Sequence, residues 1–288
     1  MMEQLKQVLQ YFPQEMRKFI LSMSGIHATE EIRLRLGRPI ALYIHGSERA
    51  LPLHAEEELL QSVMDAVTQR SQYAVMDMLS KGYLILPGGH RIGVCGTGVY
   101  REGNIRTLRD ISSLNFRIAR QIYGVGTSCV DFLGKHLGSC LCVGIPGCGK
   151  TTLLRDLIRQ LSDRYCQRIA VVDERMEIGA CCDGKCQFDL GAHTDILSGV
   201  KKADGIELVL RSMSPQWIAL DEITAFEDVE AMIRASYCGV KFLATAHADG
   251  IEELRSRPVY RKLLDEHIFP NLILLNDRKE AVIMELAA

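Results

Sequence analysis

A glycine-rich segment at residues 144–151 has the composition of a loop that wraps around phosphate groups. Its sequence, Gly-Ile-Pro-Gly-Cys-Gly-Lys-Thr, fits the pattern G-x-x-x-x-G-K-[ST]. Glycines let the backbone curl until successive N–H groups point at one phosphate, which then lies at the N-terminus of the next helix. Lys150 would reach the terminal phosphates of a nucleoside triphosphate such as ATP, and the Thr151 hydroxyl would hold Mg²⁺. The residues predicted to bind the nucleotide are Gly144, Ile145, Pro146, Gly147, Cys148, Gly149, Lys150, Thr151 and Thr152.

Two acidic residues that follow a short apolar run supply a second part of the predicted site. Asp221 and Glu222 come directly after Trp-Ile-Ala-Leu at residues 217–220. Ligands of open α/β sheets bind beyond the carboxyl ends of strands, so these acids would face the nucleotide. We expect Asp221 to hold Mg²⁺, mostly through water, and Glu222 to orient and deprotonate the attacking water. A capped strand end would look similar, but the phosphate loop favours ATP hydrolysis.

A third apolar run, at residues 240–247, ends in Thr245 and His247. An isolated histidine is more often structural than catalytic. This one ends a strand in a domain that already carries a nucleotide motif, so we favour His247 as a sensor of the γ-phosphate.

The elements that must position these residues alternate between strands and helices. Such alternation predicts a mainly parallel α/β sheet. Residues 178–204, rich in Gly, Cys, Asp and Lys, are expected to form a long loop. The predicted strands span residues 139–143, 168–174, 217–222, 240–247, 271–275 and 281–285, and the predicted helices span 151–161, 205–213, 226–237 and 251–266.

The first part of the chain has a different pattern, typical of a small α+β sheet. A glycine-containing linker at residues 123–128 places a boundary near residue 124. We therefore expect an N-terminal α+β domain at residues 1–124 and the nucleotide domain at residues 125–288. The predicted helices of the first domain span residues 4–23 (interrupted by Pro13), 56–68 and 71–79 with Ser71 as N-cap. Its predicted strands span 31–36, 40–44, 82–86, 91–95 with 99–100, and 105–109.

Five arginines crowd the end of the first domain. On composition alone they fit a solvated strand face. The alternative is that some of them reach a triphosphate held by a neighbouring subunit, as arginine fingers do. Both interpretations stay open, and the arginines are Arg91, Arg106, Arg109, Arg117 and Arg120.

Composition bounds the class of protein. Of the 288 residues, 47% are hydrophobic and 24% charged, as in ordinary globular proteins, and the net charge of −2 gives no footprint for nucleic acid. No apolar run approaches the roughly 18 residues of a membrane span, and the N-terminus lacks the pattern of a signal peptide. We expect a cytoplasmic protein that meets a membrane only through partners.

Ten cysteines raise the question of disulfides or a metal site. In a cytoplasmic protein thiols are favoured over disulfides. The tight cluster of Cys181, Cys182 and Cys186, with His193 further on, lacks a second C-x₂-C pair. Thiols are therefore favoured there as well, and zinc is the alternative.

Four motifs in this order resemble the secretion-type traffic ATPases, the hexameric motors of type II and type IV secretion and of pilus retraction. Besides the phosphate loop they are an acidic box at residues 172–177, a second nucleotide motif at 210–222 and a histidine box at 244–248. The resemblance implies a RecA-like P-loop core with a smaller N-terminal α+β domain. It also implies that Glu174 and Glu177 assist at the metal or water, and that Arg106, Arg109 and Arg117 close the site in cis or in trans.

Within that superfamily the chain is most similar to the stage III sporulation protein AA family. That family is implied to supply the mother-cell ATPase of the channel apparatus between mother cell and forespore. The resemblance also implies a homo-oligomer, which we expect to be a hexameric ring. It implies integral membrane proteins of the channel as partners. The segments that carry it are residues 31–39, 86–93, 109–120, 146–157, 210–215 and 257–259.

The chain departs from the secretion ATPases at three places. It has Asp221-Glu222 where they commonly have Gly-Glu, and the additional carboxylate favours direct support of Mg²⁺. It also has Ile223-Thr224 where they often have Ile-Arg. The acidic box reads Asp-Glu-Arg at residues 173–175 instead of Glu-Asp-Pro, so the roles of Asp173 and Glu174 could be exchanged. A nucleic-acid motor on the same core, disfavoured by the net charge, and a nucleotide-gated assembly protein with little hydrolysis are the alternatives.

Overall fold

The computed structural model describes residues 2–69, 75–136 and 138–286, which form two compact units. The first unit contains Met1–Arg120 and Cys182–Gln187, and the second contains Gln121–Cys181 and Phe188–Ala288. The chain therefore passes from the first unit to the second between residues 120 and 121, close to the predicted boundary at residue 124. It also returns to the first unit for residues 182–187, which nothing in the sequence predicts.

The first unit is an antiparallel sheet covered by helices. Ile32 and Leu34, on one face of the first strand, are fully buried, and they share a core with Leu5 and Leu9 of the first helix. This alternation is what a sheet with one buried face requires. The helices are α1 (Met2–Leu9), α2 (Gln14–Leu21), α3 (Glu57–Val67) and α4 (Met76–Leu79). The strands are β1 (Thr29–Arg35), β2 (Pro39–Ile44), β3 (Ser47–His54), β4 (Tyr83–Ile85), β5 (Arg91–Arg101) and β6 (Asn104–Arg117), in the spatial order β3-β2-β1-β6-β5-β4.

The second unit is a seven-stranded sheet with interleaved helices. Its strands are β7 (Cys140–Gly144), β8 (Ile169–Asp173), β9 (Thr194–Ser198), β10 (Trp217–Leu220), β11 (Lys241–His247), β12 (Asn271–Leu275) and β13 (Ala281–Glu285). Their order is β13-β12-β7-β11-β10-β8-β9, and every neighbouring pair is parallel except β12 with β13. The helices are α5 (Thr127–His136), α6 (Lys150–Tyr165), α7 (Lys202–Ser212), α8 (Phe226–Ser236), α9 (Ile251–Ser256) and α10 (Pro258–Asp265).

The central strands of this sheet are continuous apolar runs because both of their faces are covered. Every residue of β7, β8 and β10 is buried. Parallel sheets need this arrangement, since each crossover places a helix on one face. The α/β fold class predicted from the sequence is confirmed.

Five elements differ from the sequence prediction. The long loop expected at residues 178–204 contains β9, and α7 begins at Lys202 instead of residue 205. The helix expected at residues 251–266 is divided, because Pro258 starts a new helix and the residue before it, Arg257, is extended. β3 was not predicted, and β6 begins near the predicted residue 105 but runs to Arg117. Ser71, the predicted N-cap, lies outside the described residues.

Three structural findings concern the cysteines and the helices. All ten cysteines are thiols, including the predicted cluster of Cys181, Cys182 and Cys186. Within the described ranges, no three His, Cys, Asp or Glu side chains are grouped so that they could hold a metal ion. Nor does any described helix have the length and apolar character to cross a lipid bilayer.

Candidate nucleotide site

The glycine-rich segment forms a tight loop between β7 and α6, as its spacing predicts. Gly147 and Gly149 adopt φ values of 80° and 105°, in the left-handed region that side-chain-bearing residues rarely occupy. At Gly144 a Cβ atom would come within 2.7 Å of both Cys148 Sγ and the Leu275 carbonyl oxygen. Residues 145–147 are exposed before the N-terminus of α6, where N–H groups and the helix dipole favour an anion.

Lys150 lies inside this loop. Its side chain is buried, and its Nζ donates hydrogen bonds of 2.8 Å to the carbonyl oxygens of Gly144 and Ile145. The loop thus holds the ammonium group next to the place where phosphates would bind. The phosphates of a nucleotide would compete with these carbonyls for the same donor.

The carboxyl ends of three parallel strands bring the predicted acidic and hydroxyl groups together. Leu220, the last residue of β10, is in register with Val172 of β8 and Ala244 of β11. Asp221 follows Leu220, and its two carboxylate oxygens accept hydrogen bonds from Thr151 Oγ1 at 2.9 Å and Thr245 Oγ1 at 2.5 Å. The two residues predicted to hold the metal, Thr151 and Asp221, are therefore in direct contact.

The donor set of this pair fits Mg²⁺. Magnesium in phosphate-binding sites takes one or two protein oxygens and completes its shell with phosphates and water. A hydroxyl oxygen and a carboxylate oxygen, 2.9 Å apart and partly exposed, form such a pair.

Glu222 is fixed at both its backbone and its carboxylate. Its backbone has a φ of 48°, in the left-handed region, and its N–H donates to Thr245 Oγ1 at 2.8 Å. Its Oε2 accepts a 2.6 Å hydrogen bond from Arg175 Nη1, and its Oε1 lies 3.4 Å from His247 Nε2. A strained backbone held this firmly is typical of functional positions.

His247, the predicted γ-phosphate sensor, thus faces the predicted base. Its side chain is 30% exposed. Its Nδ1 is buried and has no hydrogen-bond partner among the residues that the structure describes. The backbone N–H of His247 donates to the Tyr260 hydroxyl at 3.4 Å, and that hydroxyl donates to the Ile223 carbonyl at 2.9 Å. The end of β11 is therefore tied to the segment that follows Glu222.

Asp173, the first acid of the acidic box, organises the turn after β8. Its carboxylate accepts the backbone N–H groups of Glu177, Ile178 and Gly179 at 2.8–3.1 Å. Burial raises the pKa of Asp173, although these three donors oppose the shift, and the negative charge of Asp221 raises it further.

Glu174 and Glu177 lie beside the same small pocket as Asp221 and Glu222. The Glu174 Oε2 atom accepts a 2.6 Å hydrogen bond from the buried Nζ of Lys202. Burial also raises the pKa of the neighbouring Asp228, while the Lys202 charge opposes that shift. The part that Glu174 and Glu177 play at a metal or a water stays a prediction.

The three predicted arginines lie on β6 of the first unit, and all are exposed. Arg109 pairs with Asp110 at 3.4 Å and Arg117 with Glu31 at 3.5 Å. Arg106 lines a shallow depression at the β5–β6 turn together with Arg101. Whether these side chains complete a nucleotide site in cis or in trans stays a prediction.

The sequence did not point to two cations at the site, Arg175 and Lys202. Lys202 stood in a predicted loop, so nothing indicated that it would be buried at the start of α7. Arg175 carried a weak signal, because it occupies the place where the resembled ATPases have proline.

Comparisons with known proteins agree with the fold of this chain. Among solved structures, the ATPase DotB of Legionella pneumophila superposes with a TM-score of 0.61 at 16% identity, over 91% of this chain and 76% of that one. The pilus retraction motor PilT, solved with bound ADP, gives 0.62 at 17% identity, over 90% and 76%. At such identities the likeness shows a shared fold and nothing more.

The family is shown by sequence. The protein described as stage III sporulation protein AA in Bacillus subtilis strain 168 is 35% identical over 255 residues, which are 87% of this chain and 83% of that protein. The family described as "Sporulation stage III, protein AA" matches residues 2–285. The chain therefore belongs to the stage III sporulation protein AA family.

Proposed function

We propose that this protein is an ATP-hydrolysing motor subunit of a sporulation channel between mother cell and forespore. It would work on the cytoplasmic, mother-cell side as a homo-oligomer, a hexameric ring, and would meet the membrane through integral membrane partners. Membership of the sporulation family supports the setting. The fold shared with proteins described as an ATPase and a retraction motor supports the activity.

One observation carries the proposed chemistry. The phosphate loop and the Thr151–Asp221–Thr245–Glu222 chain of hydrogen bonds meet at one edge of the parallel sheet. The loop amides and Lys150 would bind the phosphates of ATP. Mg²⁺, held by Thr151 and Asp221, would neutralise phosphate charge.

Glu222 would then act as the general base. It takes a proton from the attacking water as the water oxygen bonds to the γ-phosphorus, and the bond from that phosphorus to the β–γ bridging oxygen breaks. His247, 3.4 Å from the same carboxylate, would report the state of the γ-phosphate. Products are ADP and inorganic phosphate.

The substitution Glu222→Gln tests this assignment. It keeps the shape and removes the base, so hydrolysis should fall by about 10²–10⁴-fold while ATP is still bound. Steady-state phosphate release and calorimetric titration with ATP analogues measure the two quantities. Glu227→Gln, on the exposed start of α8, is the matched control and should leave turnover unchanged. Normal turnover of the Glu222 variant would remove this residue as the base.

Two outcomes with the native protein would favour the alternatives. Tight ATP binding without turnover at any protein concentration would indicate a nucleotide-gated assembly protein. Stimulation of turnover by DNA at moderate salt would indicate a nucleic-acid motor.

A further inference from the structure

Glu222, which the proposed function needs as a base, forms an ion pair with Arg175. Arg175 Nη1 donates to Glu222 Oε2 at 2.6 Å. The other oxygen of the carboxylate lies 3.4 Å from His247 Nε2. While the guanidinium donates to Oε2, that oxygen is occupied and is less free to accept a hydrogen bond from the attacking water.

Arg175 reaches this place because of the register of two neighbouring strands. Val172 of β8 is in register with Leu220 of β10. Arg175 stands three residues beyond Val172 and Glu222 two residues beyond Leu220, so both extend past the same edge of the sheet. Asp221, which contacts Thr151 of the phosphate loop, lines the same pocket as both of them.

The charges around Arg175 give it more than one possible partner. The pocket is lined mainly by carboxylates, against which only Arg175 and Lys202 stand as cations among its lining residues. Lys202 is buried against Glu174, whereas the Arg175 side chain is 57% exposed. Arg175 is therefore the cation whose long side chain has room to change partner.

We propose that Arg175 responds to the γ-phosphate. It holds Glu222 in the ion pair when no triphosphate is bound, and it moves its guanidinium to the γ-phosphate when ATP binds, which releases the Glu222 carboxylate for its role as base. Guanidinium groups bind phosphate through paired hydrogen bonds and carry a fixed charge, so a terminal phosphate competes well with one carboxylate. This inference rests on the proposed function, because it needs ATP in the site.

The proposal makes triphosphate affinity depend on Arg175 and Glu222 jointly. Loss of the guanidinium in Arg175→Gln should weaken binding of a non-hydrolysable ATP analogue by about tenfold, the value of one charge-assisted hydrogen bond. ADP affinity should stay nearly unchanged, because Arg175 remains on Glu222 in that complex. Glu222→Gln should tighten analogue binding, since the guanidinium no longer has to leave a carboxylate.

A double-mutant cycle separates this effect from simple charge removal. Removing any nearby carboxylate favours an anionic ligand, whatever Arg175 does. We therefore expect Glu222→Gln to tighten analogue binding about fivefold more in the native background than in Arg175→Gln, a typical size for coupled sites. Calorimetry in excess Mg²⁺ measures all four proteins. Arg234→Gln, which removes an exposed arginine of α8 that pairs with Glu207, is the matched control.

The outcomes distinguish this proposal from the function on which it rests. Native protein that binds neither ADP nor the analogue would overturn the proposed function. Native binding with equal effects of Glu222→Gln in both backgrounds, or equal weakening of ADP and analogue by Arg175→Gln, would overturn only the role of Arg175. A urea unfolding transition like that of the native protein shows that each variant is folded.

Discussion

At the scale of single residues, one hydroxyl group joins the two acids of the site. Thr245 Oγ1 donates to Asp221 Oδ1 and accepts the backbone N–H of Glu222. Thr245 is fully buried at the end of β11. The same group therefore orients the predicted metal ligand and holds the left-handed backbone of the predicted base.

Replacing Thr245 by the similarly shaped Val would remove both hydrogen bonds and leave two partly buried groups unsatisfied. We expect a loss of about 1–3 kcal/mol in the free energy of unfolding and a fall in ATP turnover larger than the fall in ADP affinity. Urea titration and phosphate release measure these effects. Thr245→Ser keeps the hydroxyl and should restore turnover; equal activity of the Val and Ser variants would show that the hydroxyl has no positioning role.

The sequence predicted the members of this site better than their contacts. Lys150, Thr151, Asp221 and Glu222 belong to spaced motifs, and parallel strands bring such motifs to one edge. The partners Arg175 and Lys202 depend on side chains meeting across different elements, and no local spacing records that. For Thr245 the sequence indicates only a position at the end of a strand, and not its contacts with Asp221 and Glu222.

At the scale of elements, a missing side chain allows α7 to pack closely on β8. A Cβ atom at Gly205 would lie 2.3 Å from Val172 Cγ1. Both residues are buried. The contact fixes the helix that carries Lys202 against the strand that leads to Asp173.

The variant Gly205→Ala should therefore lower the free energy of unfolding. Overpacking costs about 1–3 kcal/mol, and the higher helix propensity of alanine offsets roughly 1 kcal/mol of that loss. Val172→Ala should relieve the clash, so the double variant should be more stable than the sum of the two single effects predicts. Denaturant titration of the four proteins tests this. Strict additivity would mean that the helix shifts without meeting Val172.

His90 connects three parts of the first unit and gives its stability a dependence on pH. Its Nδ1 accepts the Ala119 N–H at 3.0 Å, and its Nε2 lies 3.1 Å from Gln7 Oε1 of α1. Burial lowers the pKa of His90 from 6.5 to about 4. The unfolded chain thus binds more protons than the folded chain between these two values.

Stability should consequently be complete above pH 6.5 and decline as the pH falls toward 4, by about 3 kcal/mol from His90 alone. Urea titrations at several pH values measure this decline. His90→Gln removes the titrating group, so its stability, although lower at pH 7, should decline less over the same window. Parallel curves for the two proteins would show that other groups govern the acid sensitivity.

Elements whose signals are local could be predicted, and those set by neighbours could not. β7, β8 and β10 are buried on both faces and carry long apolar runs. β9 has the sequence Thr-Asp-Ile-Leu-Ser at the edge of the sheet, and only its pairing with β8 makes it a strand. The break at Pro258 did have a local signal, since the residue before a proline avoids the helical region.

At the scale of the whole molecule, the proposed ring would let one subunit complete the site of the next. Arg106, Arg109 and Arg117 are exposed on β6. If one of them acts in trans, its Ala variant and Glu222→Gln are both inactive alone for different reasons. Mixed rings would contain sites with an intact base and an intact neighbouring arginine.

Glu222→Gln is therefore mixed with each arginine variant in turn. For the arginine that acts in trans, ATP turnover of the mixture should exceed the sum of the rates of the two separate variants. Phosphate release at a fixed total concentration measures this gain, and turnover per subunit of the native protein should rise steeply with concentration. Arg101→Ala, an exposed arginine of β5, is the control and should be active alone. No gain in any mixture, with a turnover independent of concentration, would assign the arginines to their own subunit or to the surface.

The return of residues 182–187 to the first unit limits how this protein can be divided or recombined. The Cys182 thiol donates to the Ile85 carbonyl, and the Gln187 side chain accepts the Gly88 N–H at 2.7 Å. A fragment that ends at residue 124 lacks both Cys182 and Gln187, which are about 60 residues further along the sequence. The first unit therefore cannot be exchanged between relatives by joining the chains at a single point. Any exchange that preserves it must also carry this six-residue segment from inside the nucleotide domain.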